Sequence, residues 1–371
     1  MTFLRRLLLC LGLLQPWVLR ADPTGEQQYW LELINRARRD PAGELERLVN
    51  FSSSTSFGSP SADNADVVAA LAYYGTDAAT LLAQWSSLSS VSALAWNDAL
   101  SVSATNYSQL MRDLDLQSHF LDGQTYEQRI GTGYSANHLL LGETLFATTA
   151  SIEHGHAAFM IDWGDDDANP FNGFGTGIQS GSSNGTGVTH RDLLLDADAK
   201  EIGMGWVTEA QPTSQINARG PYIVTQHVGS TYRFTSGSFY SDAILTGVVY
   251  SDDVLANEFY TPNEGIAGTV VEVYNQTTGS LLFSDFTNAA GGFNIALTGV
   301  IAGDVLRISA PSTGLVDQVV TVTGYTTDAS LYGAPVQFFD NVYAAFAMVP
   351  EPGGLWLACL GLVCWCRQRR R

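Results

Sequence analysis

Four short segments decide how this chain folds, because they carry its most chemically informative side chains. They are Ser118-His119-Phe120, Leu141-Gly142-Glu143-Thr144-Leu145, Phe159-Met160-Ile161-Asp162-Trp163-Gly164 and Thr189-His190-Arg191-Asp192-Leu193-Leu194. Two histidines and two carboxylates therefore follow one another in the order His119, Glu143, Asp162, His190. No two of them are three or four positions apart, the spacing that places side chains on one helix face. If the four meet, the fold must bring them together from different elements.

The composition is typical of a globular protein with an acidic surface. Of 371 residues, 45% are hydrophobic and 15% are charged, and the formal net charge is −19. The length suits two domains of about 150 residues each. A surface of this sign repels nucleic acid, so no nucleic-acid partner is expected. All four cysteines lie near the chain ends (Cys10, Cys359, Cys364, Cys366), which excludes a disulfide framework or thiolate metal site in between.

Residues 1–21 have the three parts of a secretory signal peptide. Arg5 and Arg6 form a basic start, residues 7–14 are apolar, and Ala21 ends the segment at a small residue. Gln15 and Pro16 interrupt the apolar run, which is too short for a membrane-spanning helix of about 20 residues. The sequence therefore predicts export through the Sec machinery.

The C-terminal segment, residues 349–371, also has a distinctive sequence pattern. Val349-Pro350-Glu351-Pro352 precedes an apolar run over 353–366 and an arginine-rich terminus. This pattern resembles the PEP-CTERM sorting signal, which implies recognition and removal of the tail by an exosortase after transient anchoring in the inner membrane. An ordinary C-terminal anchor is the alternative, with the arginines on the cytoplasmic side. Both interpretations place the body of the protein outside the cytoplasm, secreted or on the cell surface.

Residues 23–232 are predicted to form the first domain, with helical periodicity over 26–45, 66–88 and 101–114. An ordered set of motifs in this part resembles the CAP superfamily, which comprises the cysteine-rich secretory, antigen 5 and pathogenesis-related proteins and their SCP-like bacterial relatives. The motifs are Leu33-Ile34-Asn35-Arg36-Ala37-Arg38, Leu94-Ala95-Trp96-Asn97, His119, Gly142-Glu143, His190-Arg191, Glu201-Ile202-Gly203-Met204-Gly205 and Tyr222-Ile223-Val224-Thr225-Gln226. The resemblance implies an α+β fold, a three-layer α-β-α sandwich with an antiparallel sheet between helical layers.

The resemblance also implies a cleft that holds His119, Glu143, Asp162 and His190. Asp162 is the family's second acid by its place before Trp163, and residues 165–167, all aspartates, are the alternatives. Two imidazoles and two carboxylates suit Zn²⁺ or a similar divalent ion. The carboxylates could instead orient the histidines through hydrogen bonds. Residues 169–187 are predicted to form an inserted loop beside the cleft.

Three further histidines lie in this domain's predicted elements. His154 and His156 are two positions apart on one helix, so they cannot share a face, and we expect surface or edge positions. His227 falls on the last predicted strand, where a packed structural histidine is expected although the strand could approach the cleft.

Residues 233–243 are predicted to be a linker, and residues 244–346 a β-sandwich. Short runs of period two lie at 245–250, 269–274, 281–283, 293–297, 305–308, 319–322 and 336–339, separated by turn signals. This part resembles the prealbumin-like or SdrD B-like modules of bacterial surface proteins. The resemblance implies a possible calcium site, with oxygen ligands from Asp252, Asp253, Asn257, Glu258 and Glu264. The family's acidic run is degraded here, so solvated loop acids are the alternative.

The function predicted from these parts is extracellular or envelope binding through the His/Glu/Asp/His cleft, with a divalent metal as the candidate cofactor. The ligand class stays open among lipid, glycan and peptide. One alternative is a metal-dependent hydrolase of peptides or envelope polymers. Another is a structural matrix protein with a vestigial cleft. No HExxH motif, Gly-x-Ser-x-Gly elbow or interior cysteine supplies a catalytic group, so an enzyme is the less favoured interpretation.

Overall fold

The computed structural model describes residues 21–55, 58–131, 133–164, 176–179, 188–209, 220–331 and 334–349. The predicted signal peptide, apart from Ala21, lies outside these ranges, as does the sorting tail beyond Val349. Residues 165–167 and most of the predicted inserted loop also lie outside them. Within the described ranges, every helix is too short or too polar to cross a lipid bilayer.

The first domain begins with two consecutive helices that meet at a proline. Helix α1 spans Gly25–Arg39, and Thr24 begins it with a capping box completed by Gln27. Helix α2 spans Pro41–Leu48, with Pro41 in its first turn, where the missing N–H costs nothing. The strands β1 (Asn50–Ser54) and β2 (Pro60–Ser61) form a small hairpin, and the helices α3 (Ala65–Tyr74) and α4 (Ala78–Trp85) follow. The periodicity over 66–88 thus corresponds to two helices, since Gly75 ends the first in a left-handed conformation.

The centre of the first domain is a four-stranded sheet of order β3-β5-β6-β4. Its strands are β3 (Ala95–Trp96), β4 (His138–Thr149), β5 (Glu201–Thr208) and β6 (Tyr222–Thr231). The remaining helices are α5 (Asp98–Leu114), α6 (Tyr126–Gly131), α7 (Ile152–Ile161) and α8 (His190–Leu194). The long strand β6 pairs antiparallel with both β4 and β5, while β3 adds a short parallel edge.

Successive residues of β5 point to opposite faces of the sheet, and each face packs against a different helical layer. Gly203 and Gly205 face α5, and a Cβ at either position would lie within 2.4 Å of that helix's backbone, so only glycine allows this approach. Ile202 and Met204 point to the other face and join the main core with α1, α7 and α8. The three-layer α-β-α sandwich predicted from the sequence is confirmed.

The second domain is a sandwich of two sheets around one apolar core. One sheet has the order β11-β10-β13-β14 and the other β12-β9-β17. The strands are β9 (Ile244–Ser251), β10 (Val270–Asn275), β11 (Leu281–Phe286), β12 (Gly292–Ala296), β13 (Val305–Ser309), β14 (Gln318–Thr321) and β17 (Val342–Met348). The predicted β-sandwich is confirmed.

A third sheet occupies the segment predicted to be a linker. Strands β7 (Arg233–Thr235) and β8 (Ser238–Ser241) pair with each other, and β8 pairs with β16 (Ala334–Phe339) beside β15 (Gly324–Leu331). The segment 233–243, predicted to be a linker, thus contains two short strands. Ser236 and Gly237 form the turn between them, and β8 pairs with a strand almost a hundred residues later, a pairing that local composition does not indicate.

Buried polar groups join the two domains. The ammonium of Lys200 donates to the main-chain oxygens of Asp242 and Phe339, each at 2.5 Å. Burial lowers the pKa of Lys200 to about 7. The amide of Asn341 donates to the carbonyls of Ala93 and Lys200 at 2.8 Å each. Because buried carbonyls need donors, these contacts hold the domains in one arrangement.

Candidate functional site

Glu143 on β4 has a fully buried side chain and is the centre of a hydrogen-bond cluster. Its Oε1 accepts from His119 Nδ1 at 2.7 Å, and its Oε2 accepts from Arg129 Nη1 at 2.6 Å and from His227 Nε2 at 2.8 Å. The two carboxylate oxygens therefore accept from three donors in total. The three donors come from different places: His119 from the loop after α5, Arg129 from α6, and His227 from the register position opposite Glu143 on β6.

Arg129 ties the loop that carries His119 to this cluster. Its Nη2 donates to the carbonyl of His119 at 2.9 Å and to Asp122 at 2.9 Å. Its guanidinium also stands 3.7 Å from the ring centre of Tyr107, a cation–π contact. The hydroxyl of Tyr107 donates to Ser118 O at 2.6 Å, so α5 fixes the residue that precedes His119. One arginine thus holds both the backbone of His119 and the carboxylate that orients its ring.

The donors around Glu143 determine its ionisation. Burial alone would raise the pKa of Glu143, but the hydrogen bonds from His119 and His227 and the charge of Arg129 lower it to about 2. Burial also lowers the pKa of His227, which Glu143 only partly offsets. Glu143 is consequently an anion at all physiological pH values, and a carboxylate this acidic is a poor general base.

His190 is held by a second carboxylate in a different way. Asp162 Oδ1 accepts from His190 Nδ1 at 2.8 Å and from the His190 backbone N–H at 3.2 Å, while Oδ2 accepts from Arg191 N at 3.0 Å. Asp162 follows the last residue of α7 in a left-handed conformation with φ of 60°, and His190 is the first residue of α8. The buried carboxylate of Asp162 therefore connects the end of α7 to the start of α8.

A cleft of about 290 Å³ reaches both segments. It is lined by His190 and by Gln117, two positions before His119, whose side-chain oxygen accepts from Ala147 N at 2.8 Å. Its other walls are mostly aromatic or apolar: Tyr74, Leu145, Phe146, Ala158, Phe159, Trp163, Gly164 and Gln179. A mainly apolar lining with a few polar groups is typical of small-ligand sites.

His119 and His190 each contact a carboxylate through Nδ1, which determines the ring nitrogen that remains for a metal ion. Because Nδ1 of each ring contacts a carboxylate, Nε2 of His119 and of His190 is left without a hydrogen-bond partner among the described residues. Carboxylates placed behind metal-binding imidazoles commonly orient them in this way. Two imidazoles oriented in this way are donors of the type that divalent ions such as Zn²⁺ use. Over the described ranges, however, no group of three or more His, Cys, Asp or Glu side chains is arranged to hold a metal ion.

The prediction of surface or edge positions for His154 and His156 is wrong. Both are buried, because α7 is enclosed by the sheet and by α1 and α3. His156 Nε2 bonds Glu44 at 2.8 Å, and the ring of His154 lies between Phe146 and Trp163. The helix has apolar or small residues on all sides, a pattern typical of a buried helix that the histidine spacing alone concealed.

Two members of the Glu143 cluster were not predicted from the sequence as site residues. His227 was expected to be a packed strand histidine, and it is fully buried, yet it also bonds the site carboxylate. The available signal was its place on a strand that pairs with the strand of Glu143, but the register that sets them opposite each other is not readable from one sequence. For Arg129 the local sequence carries no signal.

The acids of the predicted calcium loop bond their own backbone. Asp252 accepts from the N–H groups of Asn257 and Glu258 at 3.0 and 3.1 Å, and Glu264 accepts from the N–H groups of residues 254, 255 and 261. Asp253 accepts from the Ser251 hydroxyl at 3.0 Å. Asp252 and Glu264 are almost fully buried, so the loop's main carboxylates already have partners in the protein.

Two family models match parts of this chain. The family model described as "Cysteine-rich secretory protein family" matches residues 31–228, and the PEP-CTERM protein-sorting motif matches residues 349–371. No curated protein matches the chain. Among solved structures, an outer surface protein of Borrelia burgdorferi is 18% identical, with a TM-score of 0.26, over 38% of this chain and 80% of that one. An extracellular SCP-domain protein of Bacillus anthracis is 18% identical, with a TM-score of 0.25, over 38% of this chain and 34% of that one.

Proposed function

The chain belongs to the cysteine-rich secretory protein family, and from that premise we propose that it binds an extracellular ligand through the cleft that His190 and the His119 segment share. The sorting motif implies recognition by the exosortase system, and the protein is extracellular or envelope-associated with transient anchoring. Passage through the Sec machinery, directed by residues 1–21, is part of the proposal.

The observation that carries the proposal is the matched orientation of the two imidazoles. Each Nδ1 is fixed on a buried carboxylate at 2.7 or 2.8 Å, so each Nε2 is left for a ligand. The packed histidines His156 and His227 also bond through one ring nitrogen only, but both are buried, so exposure is what distinguishes His119 and His190. The side chain of His119 is 36% exposed and that of His190 is 19% exposed, so both nitrogens are within reach of solvent.

A divalent ion is the cofactor that suits these donors. His119 and His190 would hold it, and Glu143 and Asp162 would fix their rings rather than bind the ion directly. Zn²⁺ at such a site supplies a Lewis acid that polarises a bound oxygen. The aromatic walls of the cleft would then surround the apolar part of the ligand.

Binding is favoured over hydrolysis by the state of the two carboxylates. Hydrolysis in which one of these carboxylates acts as the general base would require it to accept a proton. All four of their oxygens are engaged by side-chain or backbone donors, and the pKa of Glu143 is lowered to about 2. Glu143 is therefore not poised as a general base near neutral pH.

The test is metal content and metal affinity of the full chain purified in detergent micelles. We expect about one Zn²⁺ per chain in the parent, measured by mass spectrometry of the metal and by calorimetric titration. Either His119→Ala or His190→Ala should weaken binding at least about 100-fold, because a two-imidazole site loses half its protein donors. His138→Ala is the matched control, since His138 is exposed and bonds only Ser135 O.

Absence of metal from the parent after addition of both Zn²⁺ and Ca²⁺ would contradict the metal-binding part of the proposal. Loss of metal in all three variants would contradict the assignment to the cleft. The same titration with Ca²⁺ tests the calcium site proposed at residues 252–264, where Asp252→Asn would abolish a second binding event.

A further inference from the structure

A second cleft of about 360 Å³ opens where the two domains meet, away from the histidines. One wall is the turn from β3 into α5, with Trp96, Asn97 and Asp98. The other wall belongs to the connection between β11 and β12 of the sandwich and contains Phe286, Asn288, Gly292, Phe293 and Asn294. A Cβ at Gly292 would stand 2.1 Å from Gln28 Oε1, so a larger residue there would displace the Gln28 side chain of α1.

Several hydrogen-bonding groups on these walls have no partner among the described residues. The Oδ1 of Asn294 is buried and unpaired, which is costly for a folded protein unless a ligand or solvent bonds it. Asn288 uses its Oδ1 on the N–H groups of Ala290 and Gly292, which leaves its Nδ2 to donate. Asp98, in the first turn of α5, adds a carboxylate that accepts. The cleft therefore offers both donors and acceptors.

An aromatic ring completes the cleft. Phe286 is 62% exposed at the end of β11, although large aromatic side chains are usually buried. It stands at the mouth of a cleft whose deeper wall includes Trp96, which is 5% exposed. An exposed ring beside unpaired polar groups gives a ligand both an apolar face to cover and polar groups to bond.

The charges of the lining restrict the ligand class. The residues that line the cleft include Asp22 and Asp98 and no lysine, arginine or histidine, so an anion is disfavoured. A metal ion is disfavoured because no group of three potential ligands occurs in the described part of the chain. Hydroxyl groups donate and accept at once, which matches the mixed amide and carboxylate groups better than an organic cation, which only donates.

We propose that this interdomain cleft binds a neutral saccharide, with Phe286 stacked on a sugar ring and Asn294, Asn288 and Asp98 bonded to its hydroxyls. The site is composed of residues from both domains, so neither domain alone would bind the sugar. It is independent of His119 and His190 and does not rest on the function proposed for their cleft.

The experiment uses the full chain in detergent micelles and a panel of neutral tetrasaccharides of glucose, mannose, galactose and N-acetylglucosamine, with choline as the cationic probe. Calorimetric titration should detect binding of at least one tetrasaccharide and no binding of choline. Phe286→Ala should weaken that affinity about tenfold through loss of the stacking contact. Asn294→Ala should weaken it about three- to tenfold through loss of a hydrogen bond.

Two controls separate binding from folding. Phe234→Ala removes a ring of similar exposure, 61%, on β7 and should leave saccharide affinity unchanged. Asn294→Ala should not lower the melting temperature, because it removes an unpaired buried oxygen rather than a bond within the protein. Binding of choline in place of saccharide, equal binding by Phe286→Ala and parent, or no binding to any tetrasaccharide would each overturn the proposal.

Discussion

The two histidine–carboxylate pairs of the first domain reach the same local geometry by opposite means. Glu143 accepts hydrogen bonds from side chains of three other segments. Asp162 instead accepts mainly from the backbone N–H groups of His190 and Arg191 at the start of α8. Both place a carboxylate oxygen within 2.8 Å of an imidazole Nδ1. The first pair depends on tertiary packing and on charge, and the second depends on how two helix ends meet. Substitutions should therefore affect them unequally.

The largest effect is expected from Glu143→Ala. The substitution removes one of the two carboxylate partners of Arg129, whose side chain is only 5% exposed, and leaves it with Asp122. Removing one member of a buried ion pair costs about 3–5 kcal/mol. Urea unfolding followed by circular dichroism measures this loss, with Glu46→Ala as the control at an exposed glutamate, expected within about 0.5 kcal/mol of the parent.

A double variant sharpens this prediction. If part of the cost arises from the buried charge of Arg129 after the loss of Glu143, adding Arg129→Met to Glu143→Ala should restore part of the stability, because that charge is then removed. Strictly additive losses from the two single substitutions would show that the cluster does not act as a coupled unit.

Acid should affect the Glu143 cluster by a similar amount. The folded pKa of Glu143 is about 2, below its ordinary value of 4.5, so its stabilisation is fully present above about pH 5 and is lost as the pH falls toward 2. A difference of this size corresponds to about 3 kcal/mol. The lowered pKa of His227 acts in the same direction, since the unfolded chain takes up that proton first as the pH falls below about 6.5.

The measurement is the free energy of unfolding at pH 7, 5 and 3 for the parent and for Glu143→Gln. The variant should begin less stable and lose less between pH 5 and pH 3, because it lacks the titrating carboxylate. Parallel curves for the two proteins would contradict the depressed pKa of Glu143.

A smaller loss is expected at the second pair. Asp162→Ala removes the acceptor of two backbone N–H groups and one imidazole, which costs about 1–3 kcal/mol. Asp162 also has a φ of 60°, so alanine adds the strain of a left-handed residue. Asp162→Gly should therefore be about 1 kcal/mol less destabilised than Asp162→Ala by urea unfolding. Equal losses would indicate that the carboxylate alone determines the cost.

The contrast between the pairs also explains what could be predicted from the sequence. The helices and the strands of the sandwich follow from periodicity and turn signals, which are local, whereas the layered first domain was implied by the family resemblance. The order of the four site residues was recognisable because each lies in a short motif. Asp162 and His190 form a pair because the first follows the last residue of a helix and the second begins one.

What escaped prediction depends on long-range register. Arg129 and His227 join Glu143 only because α6 packs against β4 and because β6 pairs with β4 in one particular register. The hairpin of β7 and β8 escaped for the same reason, since its partner β16 is distant in sequence. Local residue types indicate which segments form strands, but the pairing of the strands depends on the whole fold.

The smallest effect expected is that of Tyr107→Phe, which tests whether the loop before His119 is held from α5. The substitution keeps the ring under Arg129 but removes the hydroxyl that donates to Ser118 O and accepts from Leu121 N. We expect a loss of about 1 kcal/mol in unfolding free energy. Zn²⁺ affinity should fall several-fold, because the loop then positions His119 less firmly, while the Asp162–His190 pair is untouched. Tyr73→Phe, at an exposed tyrosine, is the control. Unchanged affinity with lowered stability would mean that Arg129 alone suffices to position His119, which would make the Glu143 pair less dependent on distant packing than its geometry indicates.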